Sequence, residues 1–476
     1  MSGKGDISLK TKLLRTDCHF TWGLSKNDID IGDLQQRIED DIKYSSEKKA
    51  ELKYLFSFLA FTKYLQDLPE EALEDLKKAE EDVYKHKKEG YQKMLVATYG
   101  DFAWLYYHMG DYSTSQTYLA KLEDIKKQFP PSVLQAAVNG EKGWTFLRCS
   151  CKNYEKAKEC FRKALEEEPD DGEWNAGYAI ALYRTEWDAT SAEESQAVKQ
   201  LRRALELNPE DALIMVLLGL RLCVFKKMRE AEDLVEKALE ISPDDPHVTR
   251  YVAKFYRQSG SLEKSVALLK KALEKAPSSA FLHHQIAICY KIMKYNLSTS
   301  GGQARNSAET ELVHLSVYHL ETAVNLRPSF IFALTGLAAS FAECGDLSRA
   351  EEMFQNTAEL ARAKNDNLQT VYRYYGDFLQ YQKKSESLAI KQYMEGSKMQ
   401  ADTREGKKCI SRLHNLARKR IYRNPEDGEA FGILGYVHRT KDEKREAIEC
   451  YEKALLLDLE NEEYLSALCD LRLSLV

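Results

Sequence analysis

The stretch from Gln196 to Pro243, QAVKQLRRALELNPEDALIMVLLGLRLCVFKKMREAEDLVEKALEISP, carries one motif twice. Ala197 and Ala231 stand 34 residues apart, and so do Ala204 and Ala238, and Pro209 and Pro243. Small residues at a fixed period mark the places where two helices must approach closely. A proline at the end of each unit stops the helix, because it has no amide hydrogen to donate. A unit of this size cannot bury its apolar face alone, so copies have to stack.

Outward from this stretch, the first small-residue position recurs at Ala72, Ser115, Ala157, Ser265, Ser316, Ala350, Ala389 and Ala447. The steps Ala197 to Ala231, Ala231 to Ser265 and Ser316 to Ala350 are each 34 residues, the period of tetratricopeptide repeats. The second alanine returns at Ala164, Ala272, Ala323 and Ala454, and closing prolines at Pro169, Pro277 and Pro328. The fold expected is all-α, a tetratricopeptide-repeat superhelix of about nine or ten helix-turn-helix units. Three of the longer steps are informative. The surplus between Ser265 and Ser316 coincides with the polar segment STSGGQARNSAE and reads as an inserted loop. A shorter surplus falls around Thr185 to Glu194. The surplus between Ala389 and Ala447 contains Arg404 to Arg423, with eight Lys/Arg against one Glu. There Ile410, Leu413, Leu416 and Ala417 share one side, which predicts an added amphipathic helix. The last repeat, ending near Leu473, carries polar residues suited to a cap.

Composition narrows the function. Hydrophobic content of 43% and charged content of 30% suit a folded soluble chain. The longest apolar run, Ala212 to Leu220, is too short to span a bilayer, and the N-terminus MSGKGDISLK has no apolar signal core. Ten scattered cysteines fit a reducing compartment, so a cytoplasmic location is expected, and Cys149 and Cys151 read as core or surface residues. A net charge of -6 argues against indiscriminate coating of nucleic acid but leaves room for a local basic pocket. No phosphate-cradling GxxxxGK[ST], HExxH or GxSxG occurs, so no catalytic residues and no enzymatic activity are expected.

In stacked helix pairs the first helix lines the concave face with positions that packing does not need. Arg250, Lys254 and Arg257 occupy three such positions, and spacings of four and three put them on one helical face. Like charges so placed call for something anionic opposite, either acidic side chains of neighbouring repeats or a ligand with concentrated negative charge. His284 and Gln285 hold the corresponding place in the next repeat, and Arg184 adds a cation. An acidic peptide is the alternative ligand. By repeat position Trp144 belongs to the core, Tyr154 and Tyr251 have packing roles available, and Phe330 packs behind Pro328.

Four strings go beyond generic repeats: CHFTW at Cys18 to Trp22, AWLYYHMGDYSTSQTYL at Ala103 to Leu119, RYVAKFYRQSGSLEKSVALLKKAL at Arg250 to Leu273, and FLHHQIAICYK at Phe281 to Lys291. With the CDLRL ending at Cys469 to Leu473, they resemble the interferon-induced proteins with tetratricopeptide repeats over nearly the whole length. The resemblance implies three helical subdomains, expected at 1-133, 134-395 and 396-476, enclosing a basic tunnel. It implies an innate antiviral effector that takes up single-stranded non-self RNA by a 5′-triphosphate or an incompletely methylated cap and blocks its translation. It places phosphate contacts on Arg184, Arg250, Lys254, Arg257, Arg148 and Arg37. Nucleotide and sugar contacts fall on Tyr251, His284, Gln285, Trp144, Tyr154 and Phe330. Lys407, Lys408, Arg412, Arg418, Lys419 and Arg420 are a candidate second basic surface for RNA beyond the first nucleotides. No dedicated cofactor is implied; a cation such as magnesium bridging the phosphates would involve Asp33. Other repeat proteins of the family and translation or signalling proteins are implied as further partners, and a protein scaffold binding a peptide in its groove is the alternative function.

Departures from the family pattern bear on the ligand. Asp41 stands where relatives carry Gln and adds negative charge near the 5′ end, and Leu213 replaces a Tyr found in some relatives. KYSSEKK, Lys43 to Lys49, differs from the loop of the cap-preferring members, which favours triphosphate over cap.

Overall fold

The computed structural model describes residues 2–24, 26, 31–47, 52–86, 90–300, 305–364, 367–398 and 403–474; the side chains at 2–7, 33, 44–47, 298–300 and 305–306 are outside that description. Among the described residues the chain forms 24 α-helices and no strand. It divides into two compact units, Met1–Ala272 and Leu273–Val476. Within each, consecutive helices pair antiparallel, as in Pro131–Cys149 with Tyr154–Glu167 and Ala280–Ser300 with Arg305–Leu326.

The repeat arithmetic has a direct physical basis. All ten anchor residues, from Ala72 to Ala447, are at most 2% exposed. Where the anchor is serine, its hydroxyl donates to a carbonyl of the paired helix: Ser115 to Ala103 and Ser265 to Ala253, both at 2.8 Å, and Ser316 to Ala287 at 3.4 Å. A small side chain is needed there because the backbones nearly touch, and the hydroxyl is satisfied without water. The second alanine is equally buried at 164, 204, 238, 323 and 454; Ala272 alone is only half-buried. Gly143 and Gly177 serve the same end around Phe161, whose ring would lie 2.9 Å and 2.4 Å from a Cβ at those positions.

The surplus segments turn out differently from one another. Of the segment expected as a loop, residues 298–300 and 305–309 belong to the flanking helices, Ala280–Ser300 and Arg305–Leu326, of 21 and 22 residues, and 301–304 lie outside the described residues. Residues 186–195 do form a loop after the helix Gly172–Thr185. It is tied down by Glu186, which accepts from Ser195, from the amides of Gln196 and Ala197, and from Arg221 at 2.8 Å. The amphipathic helix is present as Arg404–Arg423, with Ile410, Leu413, Leu416 and Ala417 buried. The end of the last repeat carries exposed leucines beside its polar residues: Leu456 and Leu457 close the helix Lys444–Leu457, Leu459 lies in the turn, and Leu465 and Leu473 lie on the last helix, Glu462–Leu473.

The first unit is stapled internally by buried polar pairs. His19 lies between Asp101, at 2.7 Å from Nδ1, and the Thr145 hydroxyl, at 3.1 Å from Nε2. This imitates a hydrolytic triad, but all three side chains are sealed in the core at 3% exposure or less, so it is a structural clasp. Lys53 pairs with Glu141 nearby, both almost fully buried. These clasps join the helices Lys53–Tyr64, Val96–His108 and Pro131–Cys149, and the last of these carries part of the candidate site.

Candidate nucleic-acid interface

In the first unit a cluster of cations forms from three helices that are remote in sequence. Arg148 ends Pro131–Cys149, Arg184 lies in the last turn of Gly172–Thr185, and Arg250 and Lys254 sit one turn apart on Pro246–Gln258. Asp245 caps that last helix by accepting from the amides of His247 and Val248, with Pro246 at its first position, which fixes where the cationic face starts.

Each cation rests on an aromatic face. Arg148 lies 4.7 Å from the centroid of Trp144, Arg184 4.8 Å from that of Tyr154, and Arg250 4.8 Å from that of Tyr251. The Lys254 ammonium donates to the Tyr183 hydroxyl at 3.0 Å and lies 5.4 Å and 5.9 Å from the rings of Tyr183 and Tyr251. Arg184 also donates to the Leu147 carbonyl at 3.0 Å, which holds its guanidinium in place. A cation over a ring gains about 0.5–2 kcal/mol yet keeps its full charge, unlike a cation paired with a carboxylate. The arrangement therefore holds like charges together on aromatic faces.

The electrostatics record that concentration. Burial alone would push the Tyr251 phenol up, but Arg250, Arg184 and Lys254 outweigh it and bring it down to about 8. Burial lowers the pKa of Arg148, against the opposing pull of Asp41 and Glu173. Asp41 is the carboxylate in closest register: it lies 2.8 Å from Nε2 of His247 and 3.9 Å from Nε of Arg148. Burial pushes its carboxyl up; the His247 bond and the charges of Arg148 and Arg250 overcome this, and the net shift is downward.

The other expected residues distribute as follows. Arg257 is half-buried on the last turn of the helix bearing Arg250 and Lys254, and Arg37 is exposed on the helix Ile31–Glu47. Trp144 is half-buried rather than core: its edge meets Phe161 at 5.3 Å, its face carries Arg148, and its buried indole nitrogen has no hydrogen-bond partner among the described residues. Leu213 is half-buried. His284, Gln285 and Phe330 form a separate cluster in the second unit. The His284 ring lies 4.9 Å from Phe330, Gln285 reaches His284 at 3.3 Å, and Arg327 covers the Phe330 ring at 5.1 Å. The side chain of Asp33 and those of 44–49 in the Lys43 to Lys49 segment lie outside the described residues.

The second basic surface is largely spent on the fold. Arg412 pairs with Asp377 at 3.0 Å, Lys408 with Glu405 at 2.8 Å, and Arg420 with Asp427 and Glu429, both at 2.8 Å. Lys407, Arg418 and Lys419 project as exposed side chains.

Sequence reasoning missed Tyr183 and His247. Tyr183 precedes Arg184 on the same helix, and its signal was an aromatic beside a cation; His247 had none, since its partner Asp41 lies 206 residues away.

The family described as Psidin, N-terminal TPR repeats region, matches residues 183–299, and the tetratricopeptide repeat family matches 150–171 and 428–461. The human antiviral innate immune response effector IFIT1 is 38% identical over 97% of this chain and 99% of its own length. The human IFIT1 dimer solved with PPP-AAAA is 36% identical, covers 94% of this chain and 99% of its own, and superposes with a TM-score of 0.77. The human IFIT1 dimer solved with m7Gppp-AAAA gives the same identity and coverage with a TM-score of 0.78. The chain belongs to the interferon-induced proteins with tetratricopeptide repeats.

Proposed function

We propose that this chain is an antiviral effector that captures single-stranded RNA by its 5′ end, with a triphosphate as the preferred terminus. The observation that carries this reading is the convergence of Arg148, Arg184, Arg250 and Lys254 on a bed of Trp144, Tyr154, Tyr183 and Tyr251. Charge-assisted contacts to phosphate contribute about 1.5–3 kcal/mol each, and aromatic faces accept any base by stacking. The site thus suits a ligand with concentrated phosphate charge followed by unpaired bases, without sequence readout. The ligands in the two IFIT1 structures are of this chemistry, one with a triphosphate and one with a cap. His284, Gln285 and Phe330 contribute contacts to the following nucleotides, and Arg37 and Arg257 extend the positive field. Binding inhibits viral translation or replication by occupancy, with no bond made or broken, and it takes place in the cytoplasm. Magnesium, where it takes part, accompanies the phosphates. The test is a titration of the purified chain against one short RNA bearing a 5′-triphosphate, a cap or a 5′-hydroxyl, with and without magnesium. Preference for triphosphate at physiological salt is the expected result, and equal binding of all three ends would sink it.

A second activity has its own observation. The leucines 456, 457, 459, 465 and 473 at the end of the second unit are exposed, and apolar side chains so placed suit contact with another helix-repeat chain, including a second copy. Light scattering of the wild-type chain against Leu459→Glu checks it, with loss of a larger species in the variant as the expected outcome.

A further inference from the structure

One acidic side chain reaches into the cation cluster from a fourth helix. Asp41 sits on Ile31–Glu47, at 23% side-chain exposure, and reaches across to His247 on Pro246–Gln258 at 2.8 Å. Its other oxygen lies 3.9 Å from the Arg148 guanidinium on Pro131–Cys149. The His247 imidazole bonded to it and the Arg250 guanidinium on one helix, with the Arg148 guanidinium on another, stabilise the carboxylate. His247, at 38% exposure, keeps Asp41 turned into the cluster.

We propose that Asp41, held by His247, is a specificity determinant that weakens the pocket's grip in proportion to the negative charge of the RNA terminus, and so limits its discrimination between 5′ ends carrying different numbers of phosphates. This rests on the RNA-binding reading above. The physical argument is that Coulomb energy scales with the product of the charges. A carboxylate beside Arg148 cancels part of the field that draws phosphate. It repels a triphosphate more than a monophosphate, and a 5′-hydroxyl hardly at all. Replacing the charge by an amide of the same shape removes that graded repulsion while leaving a group able to hydrogen-bond His247.

The experiment compares wild type, Asp41→Asn and Asp41→Glu for binding one short RNA sequence with a 5′-triphosphate, a 5′-monophosphate or a 5′-hydroxyl, at physiological salt. For Asp41→Asn the affinity should rise about tenfold or more for the triphosphate, about threefold for the monophosphate and less than about twofold for the hydroxyl. Asp41→Glu, which keeps the charge, should stay near wild type for all three. Asp41→Gln provides a second neutral variant, and thermal melting verifies that each variant is folded. A gain that is absent, or equal across the three ends, in a folded neutral variant of a wild type that does prefer triphosphate overturns the role of Asp41 alone. A wild type indifferent to its 5′ end overturns the RNA-end reading and this inference with it.

Discussion

Two helices of this chain are rich in positive charge, and they use it in opposite ways. Arg404–Arg423 carries eight Lys/Arg, yet Asp377, Glu405, Asp427 and Glu429 pair with Arg412, Lys408 and Arg420. A buried arginine of the preceding repeat, Arg373, joins the same network through Asp377 at 3.0 Å and Glu405. Pro246–Gln258 carries only Arg250, Lys254 and Arg257, and the first two lie on the rings of Tyr251 and Tyr183. A carboxylate consumes a cation's field, whereas an aromatic ring stabilises the cation and leaves its charge to act on a ligand. Charge available for binding therefore follows from the partners of each cation, and the number of cations in a segment is a poor guide to it.

The sharpest way to break this comparison is to reverse charge on both helices. Arg250→Glu with Lys254→Glu should lower affinity for 5′-triphosphate RNA at least about 100-fold, since two charge-assisted contacts are lost and repulsion is added. Arg412→Glu with Arg420→Glu should change the same affinity less than about threefold, because those charges are already neutralised within the fold. A fluorescence-anisotropy titration of both variants decides it; similar losses in the two would erase the distinction.

A smaller effect tests whether the field at the first helix is as strong as the phenol of Tyr251 records. That phenol, brought down to about 8, is neutral at pH 7 and becomes an anion as pH rises through 8. Terminal phosphates have lost their last proton by about pH 7 and change no further. An added negative charge beside them must weaken binding, so affinity should fall about tenfold between pH 7 and 9.5. Tyr251→Phe should abolish the inflection near pH 8 while keeping most of the affinity at pH 7. On the other helix Arg420→Ala should leave this pH profile untouched. It should cost about 1 kcal/mol of stability, seen as a lowered Tm, because it removes a partly exposed bidentate pair with Asp427.

How much of this was legible follows from the range of each interaction. The anchors from Ala72 to Ala447 were readable because a close helix crossing demands a small residue at a fixed place in every repeat. The amphipathic face of Arg404–Arg423 was readable for the same local reason. The polar segment after Ser298 was read too broadly as a loop, since Ser, Gly and Asn suggest one, whereas 298–300 and 305–309 extend the paired helices Ala280–Ser300 and Arg305–Leu326. In the site, Arg250 and Lys254 were legible from their spacing. The Asp41–His247 bond was not, because nothing local in either helix announces a partner 206 residues away. Nor could spacing show that Arg412 is taken, since Asp377 comes from another repeat.

What remains for the second helix is the charge its partners leave over. Lys407, Arg418 and Lys419 are exposed and lie on the solvent side, opposite Leu413 and Leu416. A single strand that ran along them would release counterions, and each neutralised phosphate contributes about 0.7 to the slope of log affinity against log salt. Replacing all three by Ala should therefore reduce that slope by about 2 for a long 5′-triphosphate RNA. For an RNA of only a few nucleotides, too short to extend beyond its 5′-end contacts, the slope should stay unchanged. Titrations at four salt concentrations with a short and a long RNA separate the cases. A slope that drops for both lengths would mean that these residues act on the 5′ end itself. A slope that drops for neither would confine the phosphate-binding charge to the cluster of Arg148, Arg184, Arg250 and Lys254.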